Sequence, residues 1–256
     1  MTSSWQITDH FSNSAVGESF SSLDKVFALE GEKIASDPLS YVIKVPVAGK
    51  FYYVKCYTGA GKGFRRYFGK SRIRSEWENL FFFKSHDVPT AEVVGYGEER
   101  TFGLFKRGAL ITEEIAGSAD LDFFVRKNPA VTQEYRWIGP VIEQVAQATA
   151  SLHQAGFAHN DLNWRNILVT TKGAPKIFFI DCPSGKRWIN PILKYRILKD
   201  LAHLDKVGRQ LLSRSQRLRF YKQYTGRSKL TQQDLADIKI LLDYYREHRK
   251  KKGLSE

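Results

Sequence analysis

The sequence predicts a two-lobed α+β fold, with a β-rich first lobe and a mainly helical second lobe. Up to about residue 115, the chain is dominated by β-branched and aromatic runs separated by short breaks. After Gly117, the apolar residues recur mostly at helical spacing. With 256 residues, 42% of them hydrophobic, the chain has enough apolar material for a packed core in each lobe.

We expect three segments. Residues 1–20 are polar and rich in serine, so they are expected to be irregular. Residues 21–116 form the predicted first lobe, and residues 117–256 form the predicted second lobe.

The first lobe is predicted to contain three early strands, VFALEG, SYVIKVPV and KFYYVKCY. The last two form a predicted hairpin, because Ala48-Gly49 between them tolerates positive φ. A glycine-rich loop at residues 59–63 precedes the predicted helix SRIRSEWENLFFFKSH. AEVVGYGEE and GLFKRGALITEEI are predicted to be further strands.

The second lobe begins with predicted helices around Leu121–Lys127 and over IGPVIEQVAQATASLHQAG, where Gly156 provides a C-terminal cap. NILV and KIFFID are predicted to be short strands, and the remainder is predicted to be mostly helical.

The positive charge is concentrated near the C-terminus. Residues 182–256 contain 19 Lys and Arg against 7 Asp and Glu, within whole-chain totals of 40 and 27. A basic surface of this kind attracts nucleic acid, anionic lipid or phosphorylated sugars, and a solvated helix face is the simpler alternative. Charge alone does not choose among these partners.

Cysteine content and hydropathy indicate a reducing, cytoplasmic environment. Cys56 and Cys182 are too far apart in sequence for a zinc ribbon or a CxxC motif, and two cysteines cannot build a disulfide framework. The first residues lack the pattern of a signal peptide, and no apolar run approaches the ~20 residues of a membrane-spanning helix. We expect a cytoplasmic chain or one bound to a surface that faces the cytoplasm.

The strongest motif is HNDLNWRNIL at residues 159–168, followed by FFID at residues 178–181. Its spacing is the H-x-D-L-x-x-x-N pattern of kinase-type phosphotransferases, followed by a metal-binding Asp after a short strand. Asp161 is the predicted catalytic carboxylate beside the acceptor hydroxyl. Asn166 and Asp181 are the predicted oxygen ligands of Mg²⁺, and His159 is expected to support the loop through its ring nitrogens.

The same chemistry requires a lysine for the nucleotide phosphates and a glutamate that holds it. Lys55 lies in the third predicted strand, and Glu76 in the following helix is the favoured partner. Glu78 is the second choice, because it points about 200° away from Glu76 at helical spacing. Alternatively, Lys55 is simply the outward residue of an alternating edge strand.

The chain resembles the bacterial lipopolysaccharide core kinases, the InaA-type family that includes heptose and Kdo kinases and is itself similar to eukaryotic protein kinases. The resemblance covers roughly residues 25–225 and rests on YYVKCY, SEWENLFFF, ITEEIAG, HNDLNWRNILV, IDCPSG and RILKDLAHL. It implies a protein-kinase-like fold with nucleotide in the cleft between the lobes. It also implies a hinge at residues 112–115, where Glu113 and Ile115 meet adenine, and a buried Asp200 that braces the catalytic loop.

The chain departs from protein kinases in two places. No G-x-G-x-x-G lies between Leu29 and Lys44, and residues 63–71 have one residue too many for a Walker A motif. Only 18 residues separate Asp181 from Asp200, without an A-P-E motif, which disfavours a peptide acceptor. Residues 183–188 offer two cations and Trp188, which suit a sugar with a phosphate or carboxylate, although Trp188 could instead pack in the core.

The favoured hypothesis is an ATP- and Mg²⁺-dependent kinase of a sugar hydroxyl, on heptose or Kdo, in the lipopolysaccharide inner core. Its expected partners are the acidic core saccharide and the anionic cytoplasmic face of the inner membrane. The alternatives are a kinase similar to aminoglycoside phosphotransferases, whose polycationic acceptors the +13 charge would repel, and a non-catalytic kinase-like module. A nucleic-acid-binding protein is disfavoured, because helical packing explains the tyrosines among the C-terminal basic residues.

Overall fold

A computed structural model describes residues 2–59 and 69–251 of the chain. The chain divides into two compact units, the first made of residues 1–82 and 90–116 and the second of residues 83–89 and 117–256. The break after Ala116 lies where the change in sequence pattern placed the lobe boundary. The expected glycine-rich loop at residues 59–63 falls mostly outside the described residues.

The first unit is built on an antiparallel sheet. Among its described residues, seven strands pair in the order β1-β6-β7-β5-β4-β3, with β2 also on β6. The strands are β1 (Thr2–Ser3), β2 (Gln6–Ile7), β3 (Glu32–Ser36), β4 (Ser40–Val47), β5 (Lys50–Tyr57), β6 (Val93–Thr101) and β7 (Leu104–Glu113).

The β4–β5 hairpin forms where it was predicted. Ala48 and Gly49 both have positive φ, at 49° and 79°, which is the backbone of a two-residue type I′ turn. On β5, Tyr52, Val54 and Cys56 are buried in the sheet core, so Lys55 projects from the opposite face of the strand.

The N-terminal segment is ordered, so the expectation of irregular structure over residues 1–20 was wrong. Besides β1 and β2, it forms helices α1 (Asp9–Ser12) and α2 (Ala15–Ser19), and α3 (Leu23–Phe27) follows. Ser14 and Ser22 cap α2 and α3 through hydrogen bonds from backbone amides. Phe11, Phe20 and Val26 pack into the sheet core.

Helix α3 also corrects the first predicted strand. Val26 and Phe27 of VFALEG end α3, and the first long strand begins only at Glu32. The cap at Ser22 and the burial of Leu23 and Val26 favour a helical turn over the β propensity of a Val-Phe pair.

Helix α4 (Arg72–Lys84) confirms the predicted helix after the glycine-rich loop. Ser71 starts it, because its hydroxyl accepts a hydrogen bond from the amide of Arg74 at 3.1 Å. Most of the helix belongs to the first unit, and its last residues, from Phe83, belong to the second unit.

The second unit is mainly helical, as predicted, and contains two small sheets, β11-β10-β8 and β12-β9. Its strands are β8 (Ser118–Asp120), β9 (Phe157–Ala158), β10 (Ile167–Thr170), β11 (Ile177–Phe179) and β12 (Lys186–Arg187). Its helices are α5 (Leu121–Lys127), α6 (Tyr135–Gln154), α7 (Ile192–Leu211), α8 (Arg214–Thr225) and α9 (Gln232–Lys251). Of the helices in the described residues, none is sufficiently long and apolar to cross a membrane.

Candidate active site

The predicted catalytic loop lies in the second unit, between β9 and β10, and residues of α7 hold it through hydrogen bonds. Asp200 of α7 is fully buried, and its Oδ2 accepts a 2.6 Å hydrogen bond from the amide of His159. The loop is further fixed where the indole of Trp164 donates to the carbonyl of Leu204, at 3.0 Å. Asp200 therefore makes the bracing contact that the family resemblance implied.

Asp161 is exposed, but its carboxylate is held in place. The side-chain amide of Asn163 donates to Oδ1 at 3.1 Å, and that of Asn166 donates to Oδ2 at 3.3 Å. The Asn166 amide also donates to the carbonyl oxygen of Asp161, at 2.8 Å. A carboxylate that is oriented and yet open to solvent is suited to accept a proton from a substrate hydroxyl.

Asn166 is also joined to the segment that carries Asp181. The carbonyl of Asn166 accepts a 3.0 Å hydrogen bond from the amide of Ile180, and the β10–β11 pairing continues from it with Ile167 opposite Phe179. Asp181 itself has φ of 56°, in the left-handed region that is uncommon for residues other than glycine. Strained backbone of this kind clusters at functional sites, where the surrounding structure holds it in place.

His159 does not act as predicted. Both ring nitrogens are buried and have no hydrogen-bond partner among the described residues, whereas we expected them to support the loop. The imidazole instead stacks on Phe83, with ring centroids 5.9 Å apart, and contacts Phe179 edge-on. Complete burial lowers the pKa of His159, although the nearby carboxylates oppose this shift, so the ring is held neutral as a packing element.

Lys55 and Glu76 form the predicted ion pair in the first unit. Lys55 Nζ lies 2.8 Å from Glu76 Oε1, and the hydroxyl of Tyr57 donates to the other carboxylate oxygen at 3.2 Å. Glu76 is buried, whereas Glu78 is occupied at the surface by Arg74 and Lys70. The choice of Glu76 over Glu78 follows from helix geometry, because only Glu76 lies on the face that packs against the sheet.

The predicted hinge lies at the end of β7. The amide of Glu113 donates to the carbonyl of Glu92, and that of Glu114 donates to Phe51, each at 2.9 Å. The carboxylate of Glu113 pairs with Lys50 at 2.6 Å. The amide of Glu113 is therefore used within the protein, and contacts of Glu113 and Ile115 with adenine stay a prediction.

The β3–β4 turn lies in the segment that lacks a glycine-rich motif, and the side chain of Asp37 occupies it. Oδ1 of Asp37 accepts hydrogen bonds from the amides of Leu39 and Ser40, at 2.6 and 2.9 Å. Partial burial favours a higher pKa for Asp37, but the hydrogen bonds from Leu39 and Ser40 outweigh it and lower the pKa. Because a carboxylate already fills this turn, its amides are closed to a phosphate group.

Sequence reasoning missed several residues that shape the site. Asn163 received no role, although its side-chain amide holds the carboxylate of Asp161, and Asp37 also received none. Asn160 was also missed, and its side chain joins the catalytic loop to Ser184 and Arg196. The positive φ of Asn160, 66°, has a weak sequence signal, since asparagine tolerates the left-handed region better than most residues.

Comparison with known proteins decides the family. The model of the lipopolysaccharide kinase (Kdo/WaaP) family matches residues 39–244, which include every predicted site residue. The chain belongs to this family. Membership confirms the predicted enzyme class, a phosphotransferase that uses ATP and acts on an alcohol group of a sugar, and it favours this class over the aminoglycoside-type and non-catalytic alternatives.

Two curated relatives of this kinase have matching sequences. The lipopolysaccharide core heptose(I) kinase WaaP of Pseudomonas aeruginosa is 26% identical over 226 residues, which cover 80% of each chain. The 3-deoxy-D-manno-octulosonic acid kinase of Pasteurella multocida is 29% identical over 154 residues, covering 56% of this chain and 61% of the relative.

A solved structure, described as WaaP in complex with acyl carrier protein, has the same fold as this kinase. The TM-score is 0.73 at 22% sequence identity, and the match covers 97% of this chain and 98% of the other. This similarity confirms the predicted protein-kinase-like α+β fold.

Proposed function

We propose that this kinase transfers the γ-phosphoryl group of ATP to a hydroxyl of heptose or Kdo in the lipopolysaccharide inner core. The observation that carries the proposal is the exposed carboxylate of Asp161, fixed by Asn163 and Asn166. The named activities of the two curated relatives support the choice of acceptor.

In this mechanism, Asp161 orients the acceptor hydroxyl and takes its proton. The hydroxyl oxygen forms a bond to the γ-phosphorus, the bond from that phosphorus to the β–γ bridging oxygen breaks, and ADP leaves. Lys55, held by Glu76, neutralises charge on the nucleotide phosphates. Glu113 and Ile115 are the proposed contacts with adenine.

Asn166 and Asp181 would hold Mg²⁺, and their chemistry fits this ion. Both offer oxygen ligands, which Mg²⁺ prefers, and the Nδ2 of Asn166 is already used on Asp161, which leaves its Oδ1 to act as a ligand. When bound, the ion would neutralise charge on the transferred phosphoryl group.

Asp161→Asn tests the catalytic role. We expect turnover with lipopolysaccharide core as acceptor to fall by about 10²–10⁴-fold, the usual contribution of a general base. The stabilisation of the protein by Mg²⁺ and ATP in a thermal shift assay should persist in Asp161→Asn and disappear in Asp181→Ala.

Asp122→Asn is the matched control, because Asp122 pairs with Arg126 on the surface of α5 in the same unit. Its turnover should equal that of the native protein. Full activity of Asp161→Asn would contradict the proposed base, and a lack of any shift with ATP in the native protein would contradict the nucleotide site.

We also propose that the second unit binds the anionic cytoplasmic face of the inner membrane. Residues 182–199 contain five Lys and Arg and no Asp or Glu. Within this segment Ile189 is 80% exposed, and Ile192 and Tyr195 are also exposed. Exposed apolar side chains among cations are the composition of a surface that inserts shallowly into anionic lipid.

An acyl carrier protein is a further proposed partner, suggested by the described complex of the structural relative. The second unit contains a mostly apolar cavity of about 530 Å³. Its lining includes Ile142 and Val145 of α6, Leu204 and Gly208 of α7 and Leu241 of α9. A cavity of this size and polarity fits a fatty acyl chain, which a carrier protein delivers on its prosthetic arm.

Gly208→Leu tests this partner. An added Cβ at Gly208 meets its nearest neighbours, all side-chain atoms, at 3.9 Å, so the substitution adds side-chain volume at the cavity lining and its Cβ meets no backbone atom. We expect the native protein to bind palmitoylated carrier protein more tightly than the unacylated form, and Gly208→Leu to lose this difference. Equal binding of both forms by the native protein would contradict an acyl site.

A further inference from the structure

Trp188 lies between the catalytic loop and the start of α7, where it contacts two cations. The guanidinium carbon of Arg196 is 4.7 Å from the centre of the indole, and Lys186 Nζ is 4.0 Å from it. At these distances from a tryptophan ring, cation–π attraction favours the placement of both positive charges beside the indole.

Two hydrogen-bond donors of this cluster have no partner among the described residues. The indole Nε1 of Trp188 and the Nε of Arg196 are buried, and neither has a hydrogen-bond partner among the described residues. A buried N–H without a partner is energetically unfavourable. Two such donors in contacting side chains therefore indicate a position for an acceptor group that arrives with a ligand.

The charge of the cluster is also uncompensated. Within the described part of the chain, no carboxylate lies within 4.0 Å of the charged nitrogens of Arg196 or Lys186. The surrounding residues 182–199 are free of acidic side chains. The missing partner is therefore an anion.

The cluster is connected to the catalytic loop. Arg196 donates from a terminal nitrogen to Oδ1 of Asn160 at 3.3 Å, and Asn160 immediately precedes Asp161. The Nδ2 of Asn160 donates to the carbonyl of Ser184 at 2.8 Å, which fixes the amide group. An anion held on Arg196 would thus lie beside the residue that contacts Asn160, the immediate sequence neighbour of the proposed catalytic base.

We propose that Arg196, Trp188 and Lys186 recognise an oxyanion, phosphoryl or carboxylate, on the acceptor sugar, and that Arg196 determines specificity for acidic acceptors. This inference rests on the proposed sugar kinase function. Arg196 presents a planar set of donors that matches two oxygens, the indole N–H adds a third donor, and Lys186 adds charge. The site selects an acidic sugar over a neutral one, because a neutral sugar leaves these donors without partners.

Direct binding of simple probes tests the site without catalysis. Glucose 6-phosphate, glucuronate and glucose are titrated against the intact protein at low salt, and binding is followed by tryptophan fluorescence and saturation-transfer NMR. We expect one or both acidic sugars to bind more tightly than glucose. The stronger of the two identifies the recognised group as phosphoryl or carboxylate.

Substitutions assign the binding to the cluster. Loss of a charged hydrogen-bonding group corresponds to about a tenfold to hundredfold loss of affinity, which we expect for Arg196→Gln. Arg196→Lys should recover only part of it, because lysine cannot bind two oxygens in one plane. Trp188→Phe keeps the ring but removes the N–H, and a severalfold loss is expected.

Lys172→Gln is the control, since Lys172 is an exposed cation on the turn between β10 and β11. It should leave the affinity for the acidic sugars unchanged. Equal binding of all three sugars, or unchanged affinity in both Arg196→Gln and Trp188→Phe, would overturn the inference. Asp161→Asn should bind the probes normally, so failure of this site is distinguishable from failure of the kinase assignment.

Discussion

Glu76 and Glu78 lie two positions apart on α4 but have different surroundings. Glu76 is buried against Lys55 and Tyr57, whereas Glu78 pairs at the surface with Arg74 and Lys70. We predict that Glu76→Gln lowers kcat/KM for ATP by about 10²-fold, because a lysine displaced by 1 Å loses its catalytic position. Glu78→Gln on the same helix should change it less than twofold, since exposed ion pairs contribute about 0–1 kcal/mol.

Steady-state kinetics with varied ATP separates the two variants. Equal losses in Glu76→Gln and Glu78→Gln would show that helix stability, rather than the position of Lys55, determines the effect.

The buried imidazole of His159 gives the molecule a pH dependence of stability. Burial lowers the pKa of His159 in the folded protein, while the acidic groups Asp200, Asp161 and Asp181 oppose this effect. The unfolded chain therefore binds a proton below about pH 6.5 that the folded chain excludes, so stability is lost as the pH falls from there towards the folded pKa. The loss is at most about 1.4 kcal/mol per pH unit for one such group.

Urea denaturation between pH 5 and pH 8 measures this effect. We predict that His159→Leu, which cannot titrate, flattens the acid limb of the stability profile relative to the native protein. An identical slope in both proteins would assign the acid sensitivity to other groups, such as the partly buried His203.

At the scale of elements, the pairing of the short β12 strand with β9 positions the segment after Asp181. β12 pairs with β9, immediately before the catalytic loop, and Gly185 precedes it in close packing. An added Cβ at Gly185 would lie 2.5 Å from Phe157 Cζ and closer still to Cys182 Sγ. We predict that Gly185→Ala destabilises the protein by about 1–3 kcal/mol, the range of overpacking, and lowers turnover with it.

Gly139→Ala is the matched control for this substitution. Gly139 lies within α6, and the nearest atom to an added Cβ is 3.8 Å away. Alanine there should raise stability by about 0.5–1 kcal/mol, because a helical glycine is entropically unfavourable. Thermal unfolding of both variants checks the pair, and a stable, active Gly185→Ala would show that the segment can shift without consequence.

The elements that sequence predicted well are those with a readable period or turn. The β4–β5 hairpin follows from Ala48-Gly49, and α4 and α6 follow from apolar spacing over more than ten residues. Helices α1–α3 were missed because each has only four or five residues, too few to show a helical period. Their formation depends on serine caps and on burial against the sheet, which is tertiary information.

The candidate site follows the same rule. Phosphoryl-transfer chemistry fixes the type and spacing of five site residues, which is why they could be predicted: Lys55, Glu76, Asp161, Asn166 and Asp181. The contact of Arg196 with Asn160 was not predicted, since these residues are 36 positions apart and no local pattern links them. Asn160 itself occupies the variable position of the H-x-D motif, which the pattern leaves undefined.

For the whole molecule, the concentration of positive charge in residues 182–256 predicts binding to anionic membranes. We expect the protein to bind vesicles of phosphatidylglycerol and phosphatidylcholine but not phosphatidylcholine alone, and to dissociate as salt is raised. Each cation near the surface contributes about 1 kcal/mol to such binding. A sedimentation assay with vesicles measures it.

Substitution of exposed apolar side chains tests where the membrane-binding surface lies, with Phe102 as the control position. Ile189→Ser with Ile192→Ser should weaken vesicle binding, whereas Phe102→Ser should not, although Phe102 is 98% exposed on the β6–β7 hairpin. Equal effects of these substitutions, or binding that ignores lipid charge, would contradict a membrane surface at residues 182–199.

The pairing of β12 with β9 has a consequence for how the activity is controlled. The amide of Trp188 also donates to the carbonyl of Gly156, at 2.9 Å, so the segment after Asp181 is anchored at several points along its short length. Protein kinases place a long activation segment here, and its phosphorylation orders it. In this chain, backbone hydrogen bonds to β9 and to Gly156 already hold the corresponding segment, so its position in the structure rests on main-chain pairing rather than on an added charge.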